Sequence, residues 1–184
     1  MAIKQWKEAV FDKELAKDLA QFCDCSEFCA LLLSSRGITD YTDVDEFLST
    51  DIVLSSPYSI IGLVDCAEII KNEIEQKGKI CIFGDYDADG VTATALLYSY
   101  LETRGANVIR YIPDRLTEGY GLNIGAVEEI ADRGVKLIVT VDNGVSAIKE
   151  AKKCKELGID LVVTDHHKVG DELPDAIAVV DPHR

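Results

Sequence analysis

From Lys79 onward the chain alternates short, almost wholly apolar runs with amphipathic stretches. The apolar runs predict strands over 79–84, 107–112, 136–141 and 160–164, with a short one over 177–180. Helical spacing between them predicts helices over 91–103, 124–133 and 146–157. Strands that are apolar at nearly every position are buried on both faces. The alternation therefore describes a three-layer α/β domain built on a mostly parallel sheet. Just ahead of it, Leu63, Ala67, Ile70 and Ile74 share one helix face, and Gly78 is the residue type expected past the end of such a helix. Shorter helical patterns over 14–22, 26–33 and 43–48, with Gly37 as a stop, predict a small helical N-terminal segment over 1–58. The α/β domain then occupies 59–184.

At 184 residues and 47% hydrophobic, the chain can bury one good core plus a small appendage. No apolar stretch approaches the roughly 20 residues needed to cross a bilayer. The opening Met-Ala-Ile-Lys-Gln-Trp-Lys lacks the apolar centre of a secretion signal, so a cytoplasmic location is expected, with no membrane partner. Cys23, Cys25, Cys29, Cys66, Cys81 and Cys154 show no secreted-framework spacing and are expected to be reduced. The first three lie close together, but no fourth Cys or nearby His completes a zinc set, so they are expected to be structural. A net charge of -14 disfavours approach to a phosphate backbone, and any nucleic-acid affinity of this chain alone should be weak.

Part of that acidity is concentrated where strands end. Ile80-Cys81-Ile82-Phe83 leads into Gly84-Asp85-Tyr86-Asp87-Ala88-Asp89-Gly90, the run at 137–141 ends in Asp142, and that at 161–164 ends in Asp165-His166-His167. Right-handed crossovers put all strand ends of a parallel sheet on one edge, where open α/β sheets bind ligands. These motifs therefore predict one divalent-metal site. Carboxylates with imidazole and no thiolate suit Mn²⁺ or Mg²⁺ better than zinc. An EF-hand loop also begins D-x-D-x-D-G, but its twelfth position here is Leu96 where a bidentate Glu is required. Asp87-Ala88-Asp89-Gly90-Val91 further resembles the nucleophile motif of haloacid-dehalogenase-type phosphatases, which gives no role to Asp165-His166-His167. By itself Asp142-Asn143-Gly144 is an ordinary turn former, and its place after a buried strand is what raises it. In the segment Asp114 to Asn123, Asn123 is a candidate helix cap and Arg115 a candidate fork for phosphate oxygens.

With these motifs in order, residues 79–184 resemble the first domain of the DHH phosphoesterases, named for the triplet seen as Asp165-His166-His167, and within them the single-strand-specific exonucleases. Ile112-Pro113-Asp114-Arg115 with Glu118-Gly119-Tyr120-Gly121-Leu122-Asn123 supports the match, and Arg36-Gly37-Ile38 with Glu46-Phe47-Leu48 extends it towards the N-terminus. The resemblance implies a two-metal phosphodiesterase using Mn²⁺ or Mg²⁺. It would remove nucleotides from the 5′ end of single-stranded DNA in repair and recombination. Carried over by motif, Asp87, Asp89, Asp142 and His166 are metal ligands, Asp142 being placed to bridge two ions. His167 would contact the scissile phosphate or a metal, Asp165 would orient the histidines, and Asp85 stays open.

Two departures stand out. Many relatives carry a His ligand where this chain has Phe83, and the family's last metal-binding Asp and second, nucleic-acid-gripping domain lie beyond residue 184. Asp181 falls too early to be that ligand. The strand at 177–180 leaves the sheet with no closing helix, so the chain is expected to be an N-terminal fragment, weakly active or inactive alone. The alternatives are hydrolysis of oligoribonucleotides, cyclic dinucleotides or pyrophosphate, and a catalytically inactive metal-binding remnant.

Overall fold

A computed structural model describes residues 7, 12–51 and 54–184. The opening residues 1–6, read above as lacking a secretion signal, lie outside the described residues. The chain divides after Leu54 into two compact units.

The first unit holds helices α1 (Lys13–Phe22), α2 (Glu27–Ser35) and α3 (Tyr41–Leu48). Each starts on a side chain that accepts from its first-turn N–H groups: Asp12 from Glu14 and Leu15, Ser26 from Cys29, and Asp40 from Thr42. Gly37, at φ +87°, takes the left-handed turn that stops α2. Ala16, Leu19, Ala30, Leu33 and Val44 form the unit's buried centre.

The second unit runs from α4 (Leu63–Glu75) through β1 (Lys79–Phe83), α5 (Ala88–Thr103), β2 (Asn107–Tyr111), α6 (Ile124–Asp132), β3 (Leu137–Val141), α7 (Ile148–Glu156) and β4 (Asp160–Thr164) to β5 (Ala178–Val180). All pairings are parallel, in the order β2-β1-β3-β4-β5. Side chains alternate between two cores. Ile80, Ile82, Val139 and Val162 pack against Cys66 and Ile70 of α4 and Leu101 of α5. Cys81, Phe83, Ile138, Leu161 and Val163 pack against Val127 and Ile130 of α6 and Ala151 and Cys154 of α7. The result is the expected three-layer α/β architecture.

Two local features differ from the sequence reading. Helix α5 begins at Ala88 instead of 91, because Asp87 caps it, accepting from Asp89 N at 3.0 Å and Gly90 N at 2.9 Å. Half of the acidic motif is therefore a first helical turn. At the end of α4 the left-handed residue is Lys77, at φ 58°, and not Gly78. All six cysteines are free thiols, and burial pushes Cys81 up to about 12 and Cys66 and Cys154 to about 11, which keeps them inert. No helix among the described residues is long and apolar enough to cross a membrane.

Candidate metal centre

Strand order reverses between β1 and β3, since β2 lies outside β1 while β3, β4 and β5 follow on its other side. An open sheet has a crevice at that switch point, at the C-terminal ends of the strands. In-register pairing of Phe83 with Thr140, of Val141 with Thr164 and of Thr164 with Val180 levels those ends. Asp85, Asp142 and Asp165 follow immediately, so residues far apart in sequence share one edge.

Two donor groups form there. Ligand atoms of Asp85, Asp87 and Asp142 lie within 4.8 Å of one another, and so do those of Asp142, His166 and His167. Asp142 belongs to both groups. Its backbone is left-handed at φ 63°, an uncommon state for a non-glycine residue and one that clusters at functional sites. The turn is held from below by Asn143, whose buried amide donates to Val141 O at 2.9 Å and Phe83 O at 3.4 Å, tying β3 to β1.

Electrostatics separates the carboxylates. Burial pushes Asp142 up, and the neighbouring Asp87 charge adds to this against the opposing pull of His166. Asp87 is pulled down, chiefly by the Gly90 N–H at the start of α5. Asp85 is 1% exposed, and its Oδ1 has no hydrogen-bond partner. Facing carboxylates, one with a buried unpartnered oxygen, are costly unless a cation joins them. This donor set, oxygen with imidazole, fits a hard divalent ion.

Asp165 plays a different part. Burial opposes its charge, but N–H donors from Val145, His166 and His167 and the His167 ring outweigh that and hold it below the ordinary carboxylate range. Its Oδ1 lies 2.6 Å from His167 Nδ1, and this bond raises His167. With its oxygens so occupied, Asp165 orients the loop and the ring. His167 Nε2 then faces the Tyr120 hydroxyl at 3.3 Å.

Of the residues singled out in the sequence, Asp87, Asp142, His166, His167 and Asp165 come together. Asp89 is in neither donor group. It sits on the first turn of α5 and lines an adjoining cavity of about 390 Å³ with Asp142 and His166. Arg115 lies on the rim, its guanidinium 5.4 Å from the Tyr86 ring centre. Phe83 is fully buried and stacks on Tyr111 at 5.4 Å, so its place belongs to the core. A larger hollow of about 690 Å³ between α4 and α5 carries none of the site's carboxylates or imidazoles.

Sequence reasoning left Asp85 open and, though it named Tyr120 and Asn143 within motifs, gave neither a role of its own. Tyr120 stands between Gly119 (φ 84°) and Gly121 (φ 75°), two left-handed positions that turn it into the site. Burial, with the charges of Asp165, Asp85, Asp142 and Asp87, pushes its hydroxyl up to about 12, so it stays a neutral donor. The flanking glycines were the available signal.

An open parallel sheet whose switch-point edge gathers carboxylates and imidazoles defines an α/β protein with a candidate metal centre. The family model described as "DHH family, N-terminal domain" matches residues 79–184, and the chain belongs to that family. It is 43% identical over 179 residues to the single-stranded-DNA-specific exonuclease RecJ of Bacillus subtilis, covering 97% of this chain and 23% of that protein. Identity to the Escherichia coli RecJ is 36% over 153 residues, 83% of this chain and 26% of that protein. The chain thus spans about a quarter of the length of these relatives. A crystal structure of exonuclease RecJ bound to manganese superposes with a TM-score of 0.65 at 37% identity, covering 71% of this chain and 33% of that one. RecJ from Thermus thermophilus in complex with Mn²⁺ gives 0.61 at 28%, covering 95% and 24%.

Proposed function

We propose that this chain carries the metal-binding part of a divalent-metal-dependent phosphodiesterase that acts as an exonuclease on single-stranded DNA. The observation that carries the reading is the sharing of Asp142 between an all-carboxylate group and a carboxylate–imidazole group, the arrangement expected of a site for two ions. Asp85, Asp87 and Asp142 would hold one ion and Asp142 with His166 the other, with Asp89 within reach through the adjoining cavity. Mn²⁺ or Mg²⁺ bound there would supply Lewis acidity and charge neutralisation at a phosphodiester. The chain's own residues do the rest. His167, whose bond to Asp165 favours its charged form, offers a proton donor to the phosphate or the departing oxygen. The Tyr120 hydroxyl donates to the Asp142 carbonyl, accepts from the charged His167 ring at Nε2, and holds both in place. Arg115 provides a fork for phosphate oxygens at the rim.

Likeness to the RecJ exonucleases supports the substrate class, and the manganese in the related crystal structures supports the ion. The finer setting we infer is 5′ to 3′ removal of nucleotides in cytoplasmic DNA repair and recombination. The test is incubation of single-stranded DNA, labelled at either end, with Mn²⁺ and the chain or its Asp142→Ala variant. Mononucleotides released from the 5′ end by the native chain only support the reading. Retained Mn²⁺ binding without any release would leave a metal-binding module, and cleavage of short oligoribonucleotides or cyclic dinucleotides alone would redirect the substrate class.

A further inference from the structure

A row of planar groups leads from the rim into the metal centre. Arg115 Cζ lies 5.4 Å from the Tyr86 ring centre, Tyr86 meets Tyr120 edge-on at 6.4 Å, and Tyr120 meets His167 edge-on at 6.0 Å. The loop presenting Arg115 is stiff. Asp114 Oδ1 accepts from Leu116 N at 2.8 Å and Thr117 N at 3.1 Å, while Glu118 accepts from Asp114 N at 2.7 Å and from the Tyr111 hydroxyl at 2.7 Å. These bonds fix the backbone and leave the Arg115 side chain free to swing.

In a chain with 33 acidic residues, no described carboxylate lies within ion-pair distance of the Arg115 guanidinium. Its partner is the face of a tyrosine, a contact that is weak at an exposed edge. A nucleobase stacked on the same ring is held more strongly, and a phosphate attracts guanidinium more strongly than a ring does.

Building on the phosphodiester reading of this site, we propose that the Tyr86 ring is a nucleobase seat which Arg115 covers in the free protein. An arriving strand draws the guanidinium off the ring to a phosphate, and the base of the nucleotide beside the metal centre takes its place. A paired base must first be turned out of its stack and its pair to reach the ring, so the exchange favours single strands over duplex at the seat itself.

The test measures binding, in Mn²⁺, of a 5′-phosphorylated phosphorothioate oligothymidylate and of the same strand made abasic at its first position. The chain is compared with its Tyr86→Phe, Tyr86→Ala and Arg115→Gln variants, each checked for a native melting transition. Tyr86→Phe should bind both strands as the native chain does. Tyr86→Ala should lose roughly 5- to 100-fold on the base-bearing strand and nothing on the abasic one. Arg115→Gln should weaken both strands alike. The seat is ruled out if Tyr86→Ala weakens both strands equally, as a merely structural ring would, or leaves both unchanged. Should the native chain bind neither strand in Mn²⁺, the phosphodiester reading fails and the seat with it. Loss of base discrimination alone, with Asp142-dependent nucleotide release intact, would remove only the seat.

Discussion

His166 Nε2 lies 2.8 Å from Asp142 Oδ1, joining the loop after β4 to the end of β3, while the Asp142 side chain also faces Asp87 from the β1 edge. One carboxylate therefore serves three strands. In the metal-free protein it is buried and held against another negative charge, and burial first, then Asp87, push it up. Asp142→Asn should remove that repulsion and leave the metal-free melting temperature unchanged or higher. Added Mn²⁺ should raise the melting temperature of the native chain and do so far less for the variant. Affinity for Mn²⁺, read by calorimetry, should fall about 100-fold or more, since even the groups that merely support metal ligands contribute about 10- to 100-fold.

Asp165 and His167 make a pH prediction whose sign follows from their shifts. The His167 value is raised by its bond to Asp165, so its stabilising share is full below the ordinary imidazole value of about 6.5 and is lost as pH rises through the folded value. Asp165 is lowered, so its share is full above the ordinary value of about 3.9 and is lost as pH falls through the folded value. The pair should be strongest between roughly pH 4 and 6.5. In metal-free protein followed by NMR, Asp165→Asn should bring the His167 titration down towards that of a free imidazole. An unchanged His167 titration would show that the 2.6 Å contact does not set its charge.

Much of this fold was legible because its inner strands β1, β3 and β4 are short, apolar and buried along most of their length, a pattern that survives any tertiary context. Asp142 and Asp165-His166-His167 could be placed at one edge because parallel strands all end on the same side. What escaped was conformation at single residues. Asp87 was read as a metal ligand ahead of the helix, but its side chain also caps α5, and a cap is recognised only once the helix start is known. Tyr120 was noted only as part of a motif, and its place in the site depends on two left-handed glycines that look alike in sequence whether or not they deliver a side chain. Asp85 lies in the short link after β1 and Asp89 on the first turn of α5, a difference set by where the helix starts, so three alternating acids could not be ranked without coordinates.

Tyr120→Phe isolates the hydroxyl. The ring packing against Tyr86 and His167 should survive, while the hydroxyl at 3.3 Å from His167 Nε2 and 3.4 Å from Asp142 O is lost. A single hydrogen bond contributes about 1 kcal/mol, so nucleotide release should slow by roughly 5- to 10-fold. Mn²⁺ affinity should change little, because the ligand side chains stay. A loss of metal affinity as large as that of Asp142→Asn would mean that the hydroxyl supports the left-handed turn itself.

Two glycines separate helix propensity from close packing. Both lie in the first turn of a helix, and replacing a helical glycine by alanine is worth about 1 kcal/mol where there is room. At Gly125 in α6 the new methyl group would meet only Asn123 Oδ1 at 3.4 Å, an ordinary contact, so Gly125→Ala should raise stability by about 0.4–1 kcal/mol. At Gly90 in α5 it would fall 2.6 Å from both the Asp85 backbone nitrogen and Cβ, on main chain that β1 holds in place. There the clash exceeds the propensity gain, and Gly90→Ala should destabilise by about 1–3 kcal/mol. Because the displaced residue is Asp85, the same variant should also weaken Mn²⁺ binding, whereas Gly125→Ala should leave it untouched. Urea unfolding midpoints and calorimetric titration of the two variants side by side would check both signs, and a stabilised Gly90→Ala with full Mn²⁺ affinity would refute the close approach of α5 to the β1 edge.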